Sequence, residues 1–208
     1  WKRFRMFDGV FLWWRMIFGC YIWYAAEHRG NRMAKTMKRI SGGSFLLTIC
    51  CFILYRLTND RFLLPCTITF GTTAYHFIIR LLVGTVMDAI MHNKANYHKR
   101  WYHVSDFEMK LYQKIKVKKW KNKMPTFRAD TFDISKHSWD EIAQATCQSE
   151  LVHEINGIVS FLPVIASIWL SSFWVFFVTS FLGAVFDLMF VIMQRFNRTR
   201  ILKMKEKR

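Results

Sequence analysis

The sequence predicts an all-α integral membrane protein with about four transmembrane helices, an N-terminal interfacial helix and a cytoplasmic segment on the membrane surface. Charged and apolar residues are segregated along the chain, as in integral membrane proteins. Residues 157–193 contain one ionisable side chain, Asp187, whereas residues 92–128 contain eleven lysines and arginines. The chain has only three prolines and no strand-like alternation of apolar and polar residues. Helices are therefore expected throughout.

The sequence offers four apolar stretches for spanning helices, each of which needs about 20 residues at a rise of about 1.5 Å per residue. The run 157–193 is too long for a single span, and Ser171-Ser172 is the best candidate for a hairpin that divides it. The predicted transmembrane segments are 42–57, 62–91, 155–171 and 173–194.

The orientation follows from the basic residues, which concentrate on the cytoplasmic side of membranes. Residues 92–156 contain twelve lysines and arginines, and the tail from Arg195 contains seven. The turn Arg56–Arg61 contains only two. Both termini are therefore expected in the cytoplasm.

This layout predicts a single membrane domain, residues 1–208, in which residues 92–154 form the cytoplasmic surface segment. The stretch 8–26 has Arg15 among tryptophans, which favours a helix that lies in the membrane interface rather than across it.

Ionisable residues at membrane depth are functional candidates, because placing them there costs free energy. His76, Arg80 and Asp88 recur at multiples of four residues, so a helix places them on one face. A contact of Arg80 with His76 or Asp88 that stabilises the bundle is one interpretation. The other is a polar wall of a substrate cavity, which Asp187 and Gln194 could complete.

Glu150 and His153 precede the third predicted span at positions i and i+3, on one helical face. A carboxylate at this spacing can hold an imidazole in one tautomer, so that the other nitrogen takes a proton from a hydroxyl group. The alternative is an ordinary solvated helix face. Cys147 is a weaker candidate as a nucleophile. No metal site is expected, because the histidines of the surface segment lack the dense grouping of membrane di-iron enzymes: His92, His98 and His103.

Two basic clusters flank this motif. Lysines and arginines beside a membrane either bind anionic lipid head groups or capture the phosphate groups of a substrate. Nucleic acid is not expected as a partner, because the charges adjoin membrane segments. The candidate binding residues are Lys118, Lys119, Trp120, Lys121, Gln194, Arg195, Asn197 and Arg198, with His76 and Arg80 from the second span.

Three motifs in order resemble those of glycosyl-4,4'-diaponeurosporenoate acyltransferases, bacterial membrane enzymes of carotenoid biosynthesis. They are Lys116–Lys121 with Pro125, the Glu150–His153 pair, and Gln194–Arg200. The resemblance covers roughly 110–202, and the N-terminal half does not align. It implies transfer of a fatty acyl chain onto a sugar hydroxyl of a lipid-linked glycoside at the bacterial cell membrane.

The favoured hypothesis is therefore a membrane acyltransferase in which His153 is the general base and Glu150 orients it. The expected partners are membrane lipids, a lipid or glycolipid acceptor and an acyl donor such as acyl-CoA or acyl carrier protein, used as co-substrate with no bound cofactor. Two alternatives are a different lipid-modifying membrane enzyme, such as a reductase or methyltransferase, and a non-catalytic subunit of a membrane complex.

Overall fold

The computed structural model describes residues 31–121, 124, 130–170 and 173–207. These residues form helices and connecting turns with no strand, which confirms the all-α class. The predicted interfacial helix at 8–26 and the predicted hairpin at Ser171-Ser172 lie outside the described residues.

Helices α1 (Asn31–Thr58) and α2 (Leu63–Met91) pack against each other as neighbours along the chain. The turn between them begins at Asn59, whose positive φ of 53° suits a residue that ends a helix. Large apolar side chains of α1 are exposed, for example Leu46 at 63% and Leu57 at 78%. An apolar surface of this kind is stable in contact with lipid.

Helix α5 (Trp139–Val159) begins well before residue 155, the predicted start of the third span. Ser138 caps its N-terminus, because the serine hydroxyl accepts from the Glu141 N–H and the Glu141 carboxylate accepts from the Ser138 N–H. The last part of the predicted surface segment, from Trp139 to Glu154, is therefore the first part of this long helix.

A bend separates α5 from the short helix α6 (Leu162–Leu170). Pro163 has no N–H to donate to the carbonyl group of Val159, four residues earlier. The Tyr75 hydroxyl of α2 donates to that carbonyl oxygen at 2.7 Å and so satisfies it. The bend thus fixes the position of α2 against the third apolar segment.

Helix α7 (Phe173–Glu206) is the longest in the described part of the chain and continues past residue 194, the predicted end of the last span. Its buried face packs along α5, and α2 packs against both helices. The residues on that face include Thr179, Ser180 and Gly183, whose small size allows the helices to approach closely.

The surface segment folds back on the end of α7. It contains helix α3 (Asp106–Lys114), which Ser105 caps, and the short helix α4 (Val117–Trp120). Tyr112, Val117 and Phe196 form a small buried cluster that joins the segment to α7.

Four segments are long and apolar enough to cross a membrane: Ala34–Thr58, Leu63–Met91, Trp139–Leu170 and Phe173–Glu206. They account for the four predicted spans and mark the chain as a membrane protein.

Candidate active site

Three ionisable side chains from three helices meet inside the bundle. His153 of α5 and Arg80 of α2 contact opposite oxygens of the Asp187 carboxylate of α7. The His153 Nδ1–Asp187 Oδ1 distance is 2.9 Å, and the Arg80 Nη2–Asp187 Oδ2 distance is 2.5 Å. Asp187 is only 1% exposed, so the pairing offsets the cost of burying its charge.

Arg80 is held in place by further acceptors around its guanidinium group. Its Nη1 donates to the His76 carbonyl oxygen at 2.8 Å, and its Nη2 donates to the Gly183 carbonyl oxygen at 3.2 Å. A Cβ atom at Gly183 would lie 3.1 Å from that same Nη2. The absence of a side chain at Gly183 therefore lets the guanidinium reach Asp187.

The imidazole of His153 is fixed on two sides. Its ring stacks on Phe190 with the ring centroids 4.4 Å apart and the planes 6° apart. Nδ1 is the ring nitrogen that contacts the Asp187 carboxylate, so Nε2 is the nitrogen that this contact leaves free. The side chain remains 20% exposed, so part of it is accessible from outside the bundle.

His153 lines an open groove of about 850 Å³ between α5 and α7. The side chains that line the groove are mostly apolar. Several of them face outward, including Ile158 at 74% and Leu188 at 54% exposure. Among the lining residues, the Trp101 indole N–H donates to the Glu154 carboxylate at 3.0 Å. The groove therefore combines a mostly apolar lining with a few polar side chains, the imidazole among them.

Glu150, which was predicted to orient His153, forms no hydrogen bond with it in the described structure. The carboxylate that contacts His153 is that of Asp187. The Glu150 carboxylate is fully buried and faces the end of α7 instead, where it contacts Arg195 Nη1 at 3.0 Å and Arg198 Nη1 at 2.5 Å. Positions i and i+3 share a helical face but need not share a partner, and here each faces a different level of α7.

Both arginines are occupied by internal contacts. Arg198 is 1% exposed and also donates to the Tyr102 carbonyl oxygen at 2.7 Å. Arg195 donates to the His103 carbonyl oxygen at 3.0 Å and pairs with Glu108. This cluster fastens the surface segment to α7, so these two predicted phosphate-binding residues lie in a structural network.

The pKa of Glu108 reflects that network. Burial alone would raise the pKa of this carboxyl, but the Ser105 N–H and the Arg195 charge hold it below its usual range. Glu108 is therefore ionised whenever the cluster is assembled near neutral pH.

The remaining predicted residues are divided between the two regions. His76 is buried near Gly183, with neither ring nitrogen hydrogen-bonded among the described residues, and Gln194 is also buried. Trp120 donates to the Ile115 carbonyl oxygen, and Lys121 donates to Asn197 at 2.6 Å. Lys118 and Lys119 line a second pocket at the end of α7.

Two other predicted chemistries concern cysteine and metal. Cys147 is fully buried and does not line the groove. In the described part of the chain, no three His, Cys, Asp or Glu side chains are grouped so that they could hold a metal ion.

The sequence singled out Asp187 but did not predict its contact with His153. It is the one ionisable residue of the run 157–193, which was the signal available. Its contact with His153 joins residues 34 positions apart and depends on how α5 and α7 pack.

A comparison with known protein families gives a match. The family model described as glycosyl-4,4'-diaponeurosporenoate acyltransferase matches residues 98–207, just over half of the chain. The matched part includes His153 and Asp187, whereas Arg80 and His76 precede it. No curated protein and no solved structure matches the chain.

Proposed function

The chain belongs to the glycosyl-4,4'-diaponeurosporenoate acyltransferase family, whose members are acyltransferases, and on that premise we propose the chemistry of its site. The proposal is that it transfers a fatty acyl chain onto a hydroxyl group of a lipid or glycolipid acceptor in the groove at His153. His153 is the general base of this reaction, and Asp187 is the residue that positions it.

One observation carries the proposal: the His153 imidazole, which a buried carboxylate holds at one nitrogen, lines an open apolar groove. This arrangement fixes the ring and leaves its second nitrogen free of the carboxylate, as a general base requires. Arg80 holds the carboxylate in place from its other oxygen.

The reaction follows from these positions. His153 Nε2 takes the proton of the acceptor hydroxyl as its oxygen attacks the acyl carbonyl carbon of the donor. The new carbon–oxygen bond forms, the bond between that carbon and the donor's leaving group breaks, and the imidazolium returns the proton to the leaving group. Asp187 stabilises the positive charge that His153 carries between the two transfers.

The groove suits a substrate with a long apolar chain. Its lining side chains face outward between α5 and α7, so a lipid can enter sideways from the bilayer rather than through water. A glycosylated carotenoid acid, the acceptor in the family's name, has such an apolar chain and presents sugar hydroxyls at one end.

The depth of the site matches a reaction near the cytoplasmic membrane surface. Asp187 lies eight residues before Arg195, where the basic tail begins, which is about 12 Å along α7. With both termini in the cytoplasm of a bacterial cell, the imidazole lies just inside the inner leaflet, where a water-soluble acyl donor meets a membrane-bound acceptor. No bound cofactor is needed for this chemistry.

The test is an acyl-transfer assay on the purified chain in lipid nanodiscs. The substrates are an acyl thioester and a glycosylated carotenoid acid, and mass spectrometry detects the gain of one acyl group. The expected product carries the acyl chain on a sugar hydroxyl, and the unglycosylated carotenoid acid gives none. A purified, folded chain that never yields acylated glycolipid contradicts the proposal and favours a non-catalytic subunit.

A further inference from the structure

A second pocket lies at the end of α7, beside the surface segment, with a volume of about 460 Å³. Its apolar floor is formed by Met109, Val117 and Phe196, and its rim is formed by five basic side chains. Among the residues that the structure describes, no acidic side chain lines it. The basic residues of the rim are Lys116, Lys118, Lys119, Arg200 and Lys203.

The five rim cations differ from the buried arginines of the neighbouring network. All five are exposed, and no ion pair joins any of them to a carboxylate of the described residues. They come from two separate parts of the chain, because α4 and its cap supply three and the end of α7 supplies two. Five unneutralised charges around one cavity repel each other, and an anionic ligand relieves that repulsion.

The ammonium group of Lys121, close to the pocket, is affected by the same concentration of positive charge. Burial lowers the pKa of its ammonium group, and the charges of Arg200 and Lys118 lower it further. Its Nζ lies 5.5 Å from the centre of the Phe196 ring, and the Arg200 guanidinium lies 5.9 Å from the same ring centre. The floor of the pocket is thus flanked by positive charge on more than one side.

We propose that this basic pocket binds the phosphate groups of the acyl donor, and that the donor is a small thioester with several phosphates, such as a coenzyme A ester. The inference rests on the proposed acyl transfer at His153. A concave pocket of this volume fits a nucleotide-sized anionic group, whereas an acidic carrier protein would need a broad, flat basic face.

The position of the pocket along α7 agrees with such a donor. Its α7 residues, Phe196 to Lys203, lie 9 to 16 residues beyond Asp187, or about 14–24 Å along the helix axis. In coenzyme A an extended pantetheine arm separates the reactive sulfur from the phosphates. That arm can span this interval, with the phosphates in the basic pocket and the thioester at the groove.

The test measures binding of coenzyme A itself, which carries no acyl chain and needs no turnover. The protein is held in phosphatidylcholine nanodiscs, and isothermal titration gives the Kd. The test variant replaces three rim cations by neutral side chains: Lys119→Gln, Arg200→Gln and Lys203→Gln. The matched control makes the same change of charge at exposed lysines of the surface segment outside the pocket: Lys94→Gln, Lys99→Gln and Lys110→Gln.

We expect saturable binding that weakens at least about tenfold in the test variant and less than about twofold in the control, since each charge-assisted contact contributes to affinity. Both variants should elute from gel filtration as wild type does, because all six side chains are exposed. Equal affinities in the two variants, or no binding of coenzyme A, would overturn the assignment.

Two further arms identify the occupant. Binding of coenzyme A that persists in nanodiscs rich in phosphatidylglycerol supports the thioester donor, whereas its loss there assigns the pocket to lipid head groups. Binding of an acidic acyl carrier protein without any binding of coenzyme A also overturns the proposal. The variant His153→Ala should bind coenzyme A normally, so a failure of acyl transfer and a failure of this pocket remain distinguishable.

Discussion

The contact between His153 and Asp187 can be tested by removing the negative charge while leaving the shape of the side chain. The substitution Asp187→Asn leaves the Arg80 guanidinium, whose side chain is 14% exposed, without its counter-ion. Removing one partner of a buried ion pair costs about 3–5 kcal/mol of stability. For a chain of this length that lowers the unfolding midpoint by roughly 6–20 °C.

The same substitution also affects the imidazole directly. An asparagine amide can donate to Nδ1, which moves the ring proton to Nε2 and removes the lone pair that the acceptor hydroxyl needs. Removing a correctly placed general base costs about 100- to 10,000-fold in rate. We therefore expect Asp187→Asn to lose both stability and turnover.

A second substitution separates the two losses. Adding Arg80→Met removes the unpaired charge and replaces it with an apolar side chain of similar length, which brings much of the lost stability back. Turnover should stay at the level of Asp187→Asn, because the imidazole still lacks its carboxylate. Thermal unfolding and single-turnover acyl transfer in nanodiscs measure the two properties. A double variant that regains both would refute the positioning role of Asp187.

Three further predictions follow from other contacts. Gly183→Ala should lower turnover about 10- to 100-fold, because its Cβ would lie 3.1 Å from the Arg80 guanidinium that holds the carboxylate. The control in the same turnover assay is Gly84→Ala, whose Cβ meets nothing within 4 Å. Leu188→Trp should fill the groove and reduce turnover at least about tenfold with an unchanged unfolding midpoint, whereas Leu57→Trp, on another exposed surface, should change neither. Glu108 has a folded-state pKa below its usual value, so its stabilising effect is complete near neutral pH and is lost as the pH falls through that lower pKa. Thermal unfolding midpoints measured between about pH 3 and 7 should therefore decrease less on acidification in Glu108→Gln than in wild type. A decrease as steep as in wild type would show that other groups control the acid response.

The fold could be predicted from the sequence because lipid imposes a strong pattern on it. Residues 157–193 carry almost no charge and the surface segment carries much, which was enough to find the helices. Helix ends were harder, because the polar first half of α5 shows no apolar run. Its start depends on the Ser138 cap, a local signal that the hydropathy pattern does not contain.

The candidate site was predicted only in part, for a geometric reason. Spacing along one helix shows that Glu150 and His153 share a face, but not which side chains of α7 meet them. The packing of α5 against α7 places Glu150 in contact with Arg195 and Arg198, and it places His153 in contact with Asp187. Such partners lie 34 to 48 positions apart, beyond the reach of any local pattern.

The most direct measurement of the central claim compares acyl transfer by His153→Ala with that by His98→Ala, which removes an exposed histidine of the surface segment. Both variants should fold and should bind the thioester donor as wild type does. Loss of the base should slow single-turnover transfer by about 100- to 10,000-fold in His153→Ala, with no change in His98→Ala. Wild-type rates in a folded His153→Ala protein would remove this imidazole from the chemistry.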